Sequence, residues 1–218
     1  LEASFATILS AARGPVIDLS AGLALRGRES EARDDAHALV DPHVWFDPDH
    51  VAAWVRAIES ALATADPAQA EQFAERASAY RVELEALDAW IREATAELAP
   101  ENRQLVTDHE VFAYFAARYG FEQIGTVFPG TSTLSEPSAR DLALLEDAIR
   151  ASGVRAVFVG TTVAAGLAEQ VAADTGTRIV FLYTGSLSEP GGPAATYLDL
   201  MRYDVRAIVD ALAGSGDA

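Results

Sequence analysis

The sequence predicts an α/β protein: two parallel-sheet (β/α) lobes joined by one long backbone helix, with the first lobe partial in this chain. Three observations carry that prediction. From Pro100 onward, short apolar strands alternate with helices, the pattern of a parallel sheet covered on both faces. No Gly or Pro falls between Pro67 and Pro100, and apolar residues recur there at helical spacing. Residues 1–65 hold too few elements for a complete lobe. The expected division is therefore 1–65, a partial N-terminal α/β lobe, 66–99, the linking helix, and 100–218, the C-terminal α/β lobe.

Taken in order, residues 1–25 read as a short helix and then a strand. Phe5, Ile8 and Leu9 share a face, Gly14-Pro15 ends the helix, and Val16-Ile17-Asp18-Leu19 is extended. Arg26 to Val40 is polar and charged and reads as a surface loop. Asp47-Pro48-Asp49 opens a helix with an acidic first turn; Val51, Trp54, Val55, Ile58 and Leu62 form its apolar face. Asp66-Pro67 stops that helix and starts the next, with Asp66 at N-cap and Pro67 at N1. Phe73, Ala77, Tyr80, Leu84, Leu87, Ile91 and Leu98 then keep helical spacing to Pro100, a helix of roughly 45 Å. A coiled-coil hairpin would give the same stripe.

Beyond Pro100 the expected elements are strand Gln104–Thr107, helix Glu110–Tyr119 ended by Gly120, strand Gln123–Phe128 and helix Ser138–Ser152, introduced by Ser135-Glu136-Pro137-Ser138 and ended by Gly153. Strand Val154–Val159, helix Val163–Thr175, strand Arg178–Tyr183 and a closing helix Thr196–Ala213 complete the lobe.

Composition narrows the chemistry. Acidic residues outnumber basic ones 33 to 16, for a formal net charge of −17; such a field repels nucleic acid and draws in cations. With no cysteine, disulfides and thiolate ligands are excluded, so a transition-metal site would be built from His and carboxylates. No apolar run reaches the roughly 18–20 residues of a membrane span. The start, Leu1-Glu2-Ala3-Ser4-Phe5, lacks an initiator Met and a signal-like segment, as expected of a chain whose leader was removed or that begins inside a longer protein.

Four histidines are present: His37, His43, His50 and His109. His109 follows the strand Leu105-Val106-Thr107, and open α/β sheets bind ligands beyond the carboxyl ends of their strands. A helix-capping or merely exposed role would fit the same position. His43 lies in Asp41-Pro42-His43-Val44-Trp45-Phe46-Asp47-Pro48, a rigid, carboxylate-rich loop before a helix. Asp41 or Asp47 would hold one ring nitrogen and leave the other as ligand, with Trp45 and Phe46 packed beneath; read alone, the segment is also a well-specified helix start. His37, in the charged loop, reads as solvated surface, and His50, in a first helical turn, has no assigned role.

Asp41-Pro42-His43-Val44-Trp45 followed by Asp47-Pro48 resembles the central signature of the zinc and manganese solute-binding proteins of metal ABC transporters. Thr107-Asp108-His109 with Phe112, Tyr114-Phe115-Ala116, Tyr119 and Gly120 resembles that family's next block. Glu136-Pro137-Ser138 with Asp141-Leu142 resembles the one after, and Thr196-Tyr197-Leu198-Asp199-Leu200-Met201 the C-terminal one. The matches run in order from about Leu1 to Leu212, and His43 and His109 stand 66 residues apart, as the family pattern expects.

The resemblance implies two lobes, one long helix and a metal held between the lobes, with His43 as second ligand and His109 as third. Histidine rather than glutamate at the third place favours zinc over manganese. The resemblance also implies about sixty further residues before Leu1, carrying the first ligand. The late acidic ligand is expected near Tyr183-Thr184-Gly185-Ser186, where there is no carboxylate; Glu189 is the nearest substitute. The His-rich loop of many zinc members is reduced to Arg26–Val40 with one His.

The function so implied is extracytoplasmic capture of a zinc ion, in the periplasm or at an anchored cell surface, and delivery to the transporter's membrane permease. A metallochaperone is a further candidate partner, no nucleic acid is expected, and the chain is expected to be a monomer. Affinity should fall as imidazole protonates, near pH 6.5 for an unperturbed ring. Loop rearrangement is expected rather than wide hinge closure. Two alternatives remain: a metal-dependent hydrolase with Glu110 as general base, and an adhesin or assembly module with a vestigial site. The hydrolase reading has neither a His-Glu-x-x-His nor a Gly-x-Ser-x-Gly motif behind it.

Overall fold

The computed structural model describes residue 9 and residues 11–27, 40–133 and 136–213. The expected helix face at Phe5 and Ile8, the loop histidine His37 and the helix signal at Ser135 lie outside these residues. The chain forms two compact units, Leu1–Glu85 and Ala86–Ala218.

In the first unit, Asp18 turns the chain rather than extending it. Its Oδ1 accepts from the Ser20 N–H at 2.8 Å and the Ser20 hydroxyl at 2.6 Å, an Asx-type turn. The expected strand at Val16–Leu19 thus joins no sheet among the described residues, and Val16 and Ile17 are exposed. Gly27 and Val40 form an isolated antiparallel bridge, and the Asp41 N–H donates to Arg26 O at 3.0 Å.

Helix α1 is Pro48–Ala65. Asp47 caps it by accepting from Asp49 N–H at 2.9 Å, and Pro48 occupies its first turn, as read from the sequence. The next start differs from expectation. Pro67–Gln69 is one 3-10 turn, and helix α2 runs from Ala70 to Ala96. The Asp66 carboxylate accepts from Gln69 Nε2 at 2.8 Å and caps no backbone N–H. The continuous 27-residue α2, about 40 Å at 1.5 Å per residue, leaves no place for a hairpin. It stops short of Pro100, because the residue before a proline is driven out of helical geometry: Ala99 has ψ 142°. An ion pair from Arg81 to Glu59 at 2.8 Å joins α2 to α1 within this unit.

The second unit is built on a parallel sheet of order β2-β1-β3-β4: β1 Gln104–Thr107, β2 Glu122–Thr126, β3 Ala156–Gly160 and β4 Arg178–Leu182. Helices α3 Ala113–Tyr119, α4 Ala139–Ser152, α5 Gly166–Thr175 and α6 Tyr197–Leu212 follow the four strands in turn. Every residue of β3 is buried, so both faces of the central sheet are covered. On one face Val106, Val157 and Val159 pack with Leu145 and Ile149 of α4 and Ala168 and Val171 of α5. Ser138 and Asp141 cap α4 reciprocally, a capping box. Thr196 caps α6.

Two helix starts fall later than the periodicity predicts. Residues 108–112 are not helical, because Glu110 N–H is drawn to Gly130 O at 2.8 Å and Thr107 Oγ1 takes the His109 carbonyl. Residues 163–165 are not helical, because Val163 N–H closes a turn on Gly160 O at 2.9 Å before α5 begins. Asp88 on α2 fastens α3: its Oδ1 accepts from Arg118 Nε and Tyr119 Oη, both at 2.8 Å, and its Oδ2 accepts from Arg92 Nε at 3.0 Å. Trp90 on α2 lies under the Arg206 guanidinium of α6, 5.4 Å from ring centroid to Cζ. No helix among the described residues is long and apolar enough to cross a membrane.

Candidate metal centre

His43 is fixed by the residue two before it. Asp41 Oδ1 accepts from the His43 backbone N–H at 2.9 Å and from its ring Nδ1 at 2.8 Å. A carboxylate can only accept, so Nδ1 carries the proton and the lone pair of the neutral ring lies on Nε2. Of the two aspartates that the sequence left open, Asp41 orients the ring and Asp47 caps α1. Val44–Phe46 form a 3-10 turn that carries Trp45 edge-on to the imidazole, 5.4 Å between centroids, and Phe46 into the core. His43 itself is 3 % exposed. Pro42 and Pro48 bracket the turn and limit its backbone freedom.

His109 repeats the arrangement at the carboxyl end of β1. Asp108 Oδ1 accepts from the His109 N–H at 2.6 Å and from ring Nδ1 at 2.5 Å. Asp108 Oδ2 accepts from Gly160 N–H at 2.7 Å, at the end of β3. The Asp108 main chain closes the same corner, its N–H on Phe158 O and its carbonyl accepting from Phe128 N–H. His109 is 8 % exposed, more enclosed than a lobe-edge position suggests. Its Nε2 bears the lone pair for the same reason as in His43. Each unit therefore carries one imidazole whose protonated nitrogen is held by an adjacent aspartate, the usual outer support of a metal-ligating histidine.

The other named residues fall as follows. His50 Nδ1 meets Val44 O at 3.1 Å and serves the start of α1. Glu189 is exposed in the loop after β4, where its carbonyl accepts from Gly192 N–H at 2.9 Å. Among the described residues, neither unit by itself groups three or more His, Asp or Glu side chains around a metal position. Where the resemblance expects a late carboxylate, Thr184 is buried beside Gly160. A Cβ added at Gly160 would collide with Thr184 Oγ1 and lie 3.3 Å from Asp108 Oδ2, so a larger residue there forces the Thr184 side chain to shift.

The sequence reading missed Asp108 as the support of His109, although its adjacency to the histidine was a usable signal. It also missed Asp204. This residue of α6 is 1 % exposed; Oδ1 accepts from Tyr183 N–H at 2.8 Å, and Oδ2 is buried without a partner. Burial outweighs that one hydrogen bond and pushes its carboxyl up to about 7.

The chain as a whole is similar to known periplasmic and lipoprotein metal-binding proteins. The family model described as zinc-uptake complex component A, periplasmic, matches residues 1–211. The manganese-binding lipoprotein MntA of Bacillus subtilis is 34 % identical over 79 % of this chain and 58 % of its own length. The zinc-binding protein TroA of Treponema pallidum is 33 % identical over the same shares. Among solved structures, the periplasmic zinc-binding protein TroA of Treponema pallidum superposes with a TM-score of 0.86 at 30 % identity, covering 97 % of this chain and 77 % of that one. A cadmium-bound periplasmic metal-binding protein of Candidatus Liberibacter asiaticus gives 0.77 at 26 % identity, over 91 % and 71 %. The chain spans a little over half the length of these curated relatives. Their names are those of metal-binding proteins rather than hydrolases. The chain belongs to the ZnuA family of periplasmic zinc-uptake components.

Proposed function

We propose that this chain captures a divalent transition-metal ion outside the cytoplasm and delivers it to the membrane permease of an ABC transporter, with His43 and His109 as ligands through Nε2. The observation that carries this reading is the shared support of the two rings, Asp41 on one Nδ1 and Asp108 on the other. A carboxylate on Nδ1 fixes tautomer and ring orientation and raises the basicity of the second nitrogen. Neither feature serves an ordinary surface histidine.

Zinc is the preferred cargo in this reading. The relatives' names divide among zinc, manganese and iron, so the preference rests on the donor set: two imidazoles suit zinc better than manganese, which favours oxygen ligands. Glu189, the carboxylate in the loop after β4, is the candidate for an additional ligand. The test is a competition titration of the intact protein with zinc and manganese, read by bound-metal analysis. Zinc displacing manganese supports the assignment. Manganese displacing zinc overturns the cargo, and failure to retain either metal overturns capture itself.

A further inference from the structure

The His109 peptide is held at both ends. Its N–H is on Asp108 Oδ1 at 2.6 Å, and its carbonyl accepts from Thr107 Oγ1 at 2.7 Å. The second bond has a cause on the neighbouring strand. Gln123 Nε2 donates to Gly125 O at 2.7 Å and to Thr107 Oγ1 at 3.0 Å. Because a carbonyl can only accept, the Gly125 contact fixes which end of the carboxamide is nitrogen. That nitrogen donates to the threonine oxygen as well, so the hydroxyl proton points away from it and towards the His109 carbonyl. The direction of the whole chain follows from one backbone oxygen.

Gln123 sits where the β1–β2 pairing slips. Leu105 pairs with Gln123 but Val106 pairs with Gly125, leaving Ile124 as the extra residue, and the carboxamide spans this bulge. Bulges re-aim side chains beside functional sites. Gln123 Oε1 is buried with no partner, an unfavourable condition that an apolar side chain would avoid. Thr107, fully buried, also offers no packing reason for its hydroxyl over the methyl of valine.

We propose that Gln123 and Thr107 are positioning residues for His109, a directed hydrogen-bond chain that fixes the His109 peptide and thereby the place where its Nε2 meets the ion. The inference rests on the reading of His109 as a ligand. Linked hydrogen bonds polarise one another, so loss at Gln123 is felt at the His109 carbonyl.

The test compares Thr107→Val, Thr107→Ser, Gln123→Met and His109→Ala in the intact protein. The readouts are zinc affinity by chelator competition, the visible spectrum of bound cobalt(II), and melting temperature without metal. Thr107→Val and Gln123→Met should each weaken zinc binding about 10-fold, the lower end of what outer-partner loss does, and shift the cobalt bands. Thr107→Ser, which keeps the hydroxyl, should restore both affinity and spectrum. Wild-type affinity and spectrum in the valine and methionine variants, with His109→Ala still impaired, overturns the positioning role alone. Unchanged affinity in His109→Ala overturns the ligand reading and the proposal with it. Weakened affinity with unchanged cobalt bands and a matching drop in melting temperature reduces the effect to stability, and also overturns the proposal.

Discussion

Asp108 holds His109 at two points, accepting from its backbone N–H at 2.6 Å and from its ring Nδ1 at 2.5 Å through a single carboxylate oxygen, while the other oxygen takes Gly160 N–H at 2.7 Å. The same residue thus sets the ring's tautomer and ties it to the end of the central strand. Asp108→Ala removes both, and zinc affinity should drop roughly 10–100-fold, the usual effect of losing such support. Isothermal titration of the variant beside wild type checks this. Asp41→Ala should act in the same direction through His43.

Gly160 is the second fixed point of that corner. A methyl at this position would stand 2.3 Å from Thr184 Oγ1 and 3.2 Å from Val163 Cγ2. Gly160→Ala should therefore destabilise by about 1–3 kcal/mol, as overpacking does. Adding Thr184→Ala should recover most of that loss, because the two residues are in contact and their effects are not additive. Thermal unfolding of the two single variants and the double variant measures the coupling.

Asp204 gives a pH dependence of stability. Its carboxyl is raised from 3.8 to about 7 by burial, against the Tyr183 N–H that lowers it. Between those values the folded chain holds a proton that the unfolded chain has released, so stability falls as pH rises through the window and is lowest above pH 7. The window spans roughly three pH units, at most about 4 kcal/mol. Asp204→Asn cannot ionise and keeps an oxygen for Tyr183. It should melt higher than wild type at pH 8 and lose that advantage at pH 4.

Asp88 acts with the opposite sign. Partial burial raises its carboxyl, but hydrogen bonds from Arg118, Tyr119 and Arg92 outweigh this and hold it at about 2. The clamp between α2 and α3 is therefore fully present above pH 4 and lost as pH falls from about 4 to 2. After solvent screening, the contribution is on the order of 1 kcal/mol. Asp88→Asn should lower the melting temperature at pH 7, and the difference from wild type should vanish near pH 2.

The elements with strong periodicity or clear punctuation were legible in the sequence. Leu84, Leu87 and Ile91 mark the buried face of α2, and Asp47-Pro48, Ser138 and Gly153 mark helix ends where the structure places them. What escaped were competitions settled by tertiary partners. Residues 110–112 read as the start of a helix, yet Gly130 O takes the Glu110 N–H and Thr107 Oγ1 the preceding His109 carbonyl. The choice of Asp41 over Asp47 depends on which one the α1 N-terminus uses first. Gln123 reaches Thr107 only because the β1–β2 register slips at Ile124, and no local pattern announces a slip. Nor does spacing reveal that Asp204, one of several acids on α6, faces inward beneath Tyr183.

The most direct test of metal capture by the two histidines is the zinc affinity of His43→Ala and His109→Ala, measured by chelator competition in the intact protein. Loss of a ligand should exceed loss of its outer support, so each variant is predicted to bind zinc on the order of 100-fold or more weakly than wild type. Wild-type affinity in both variants would contradict it.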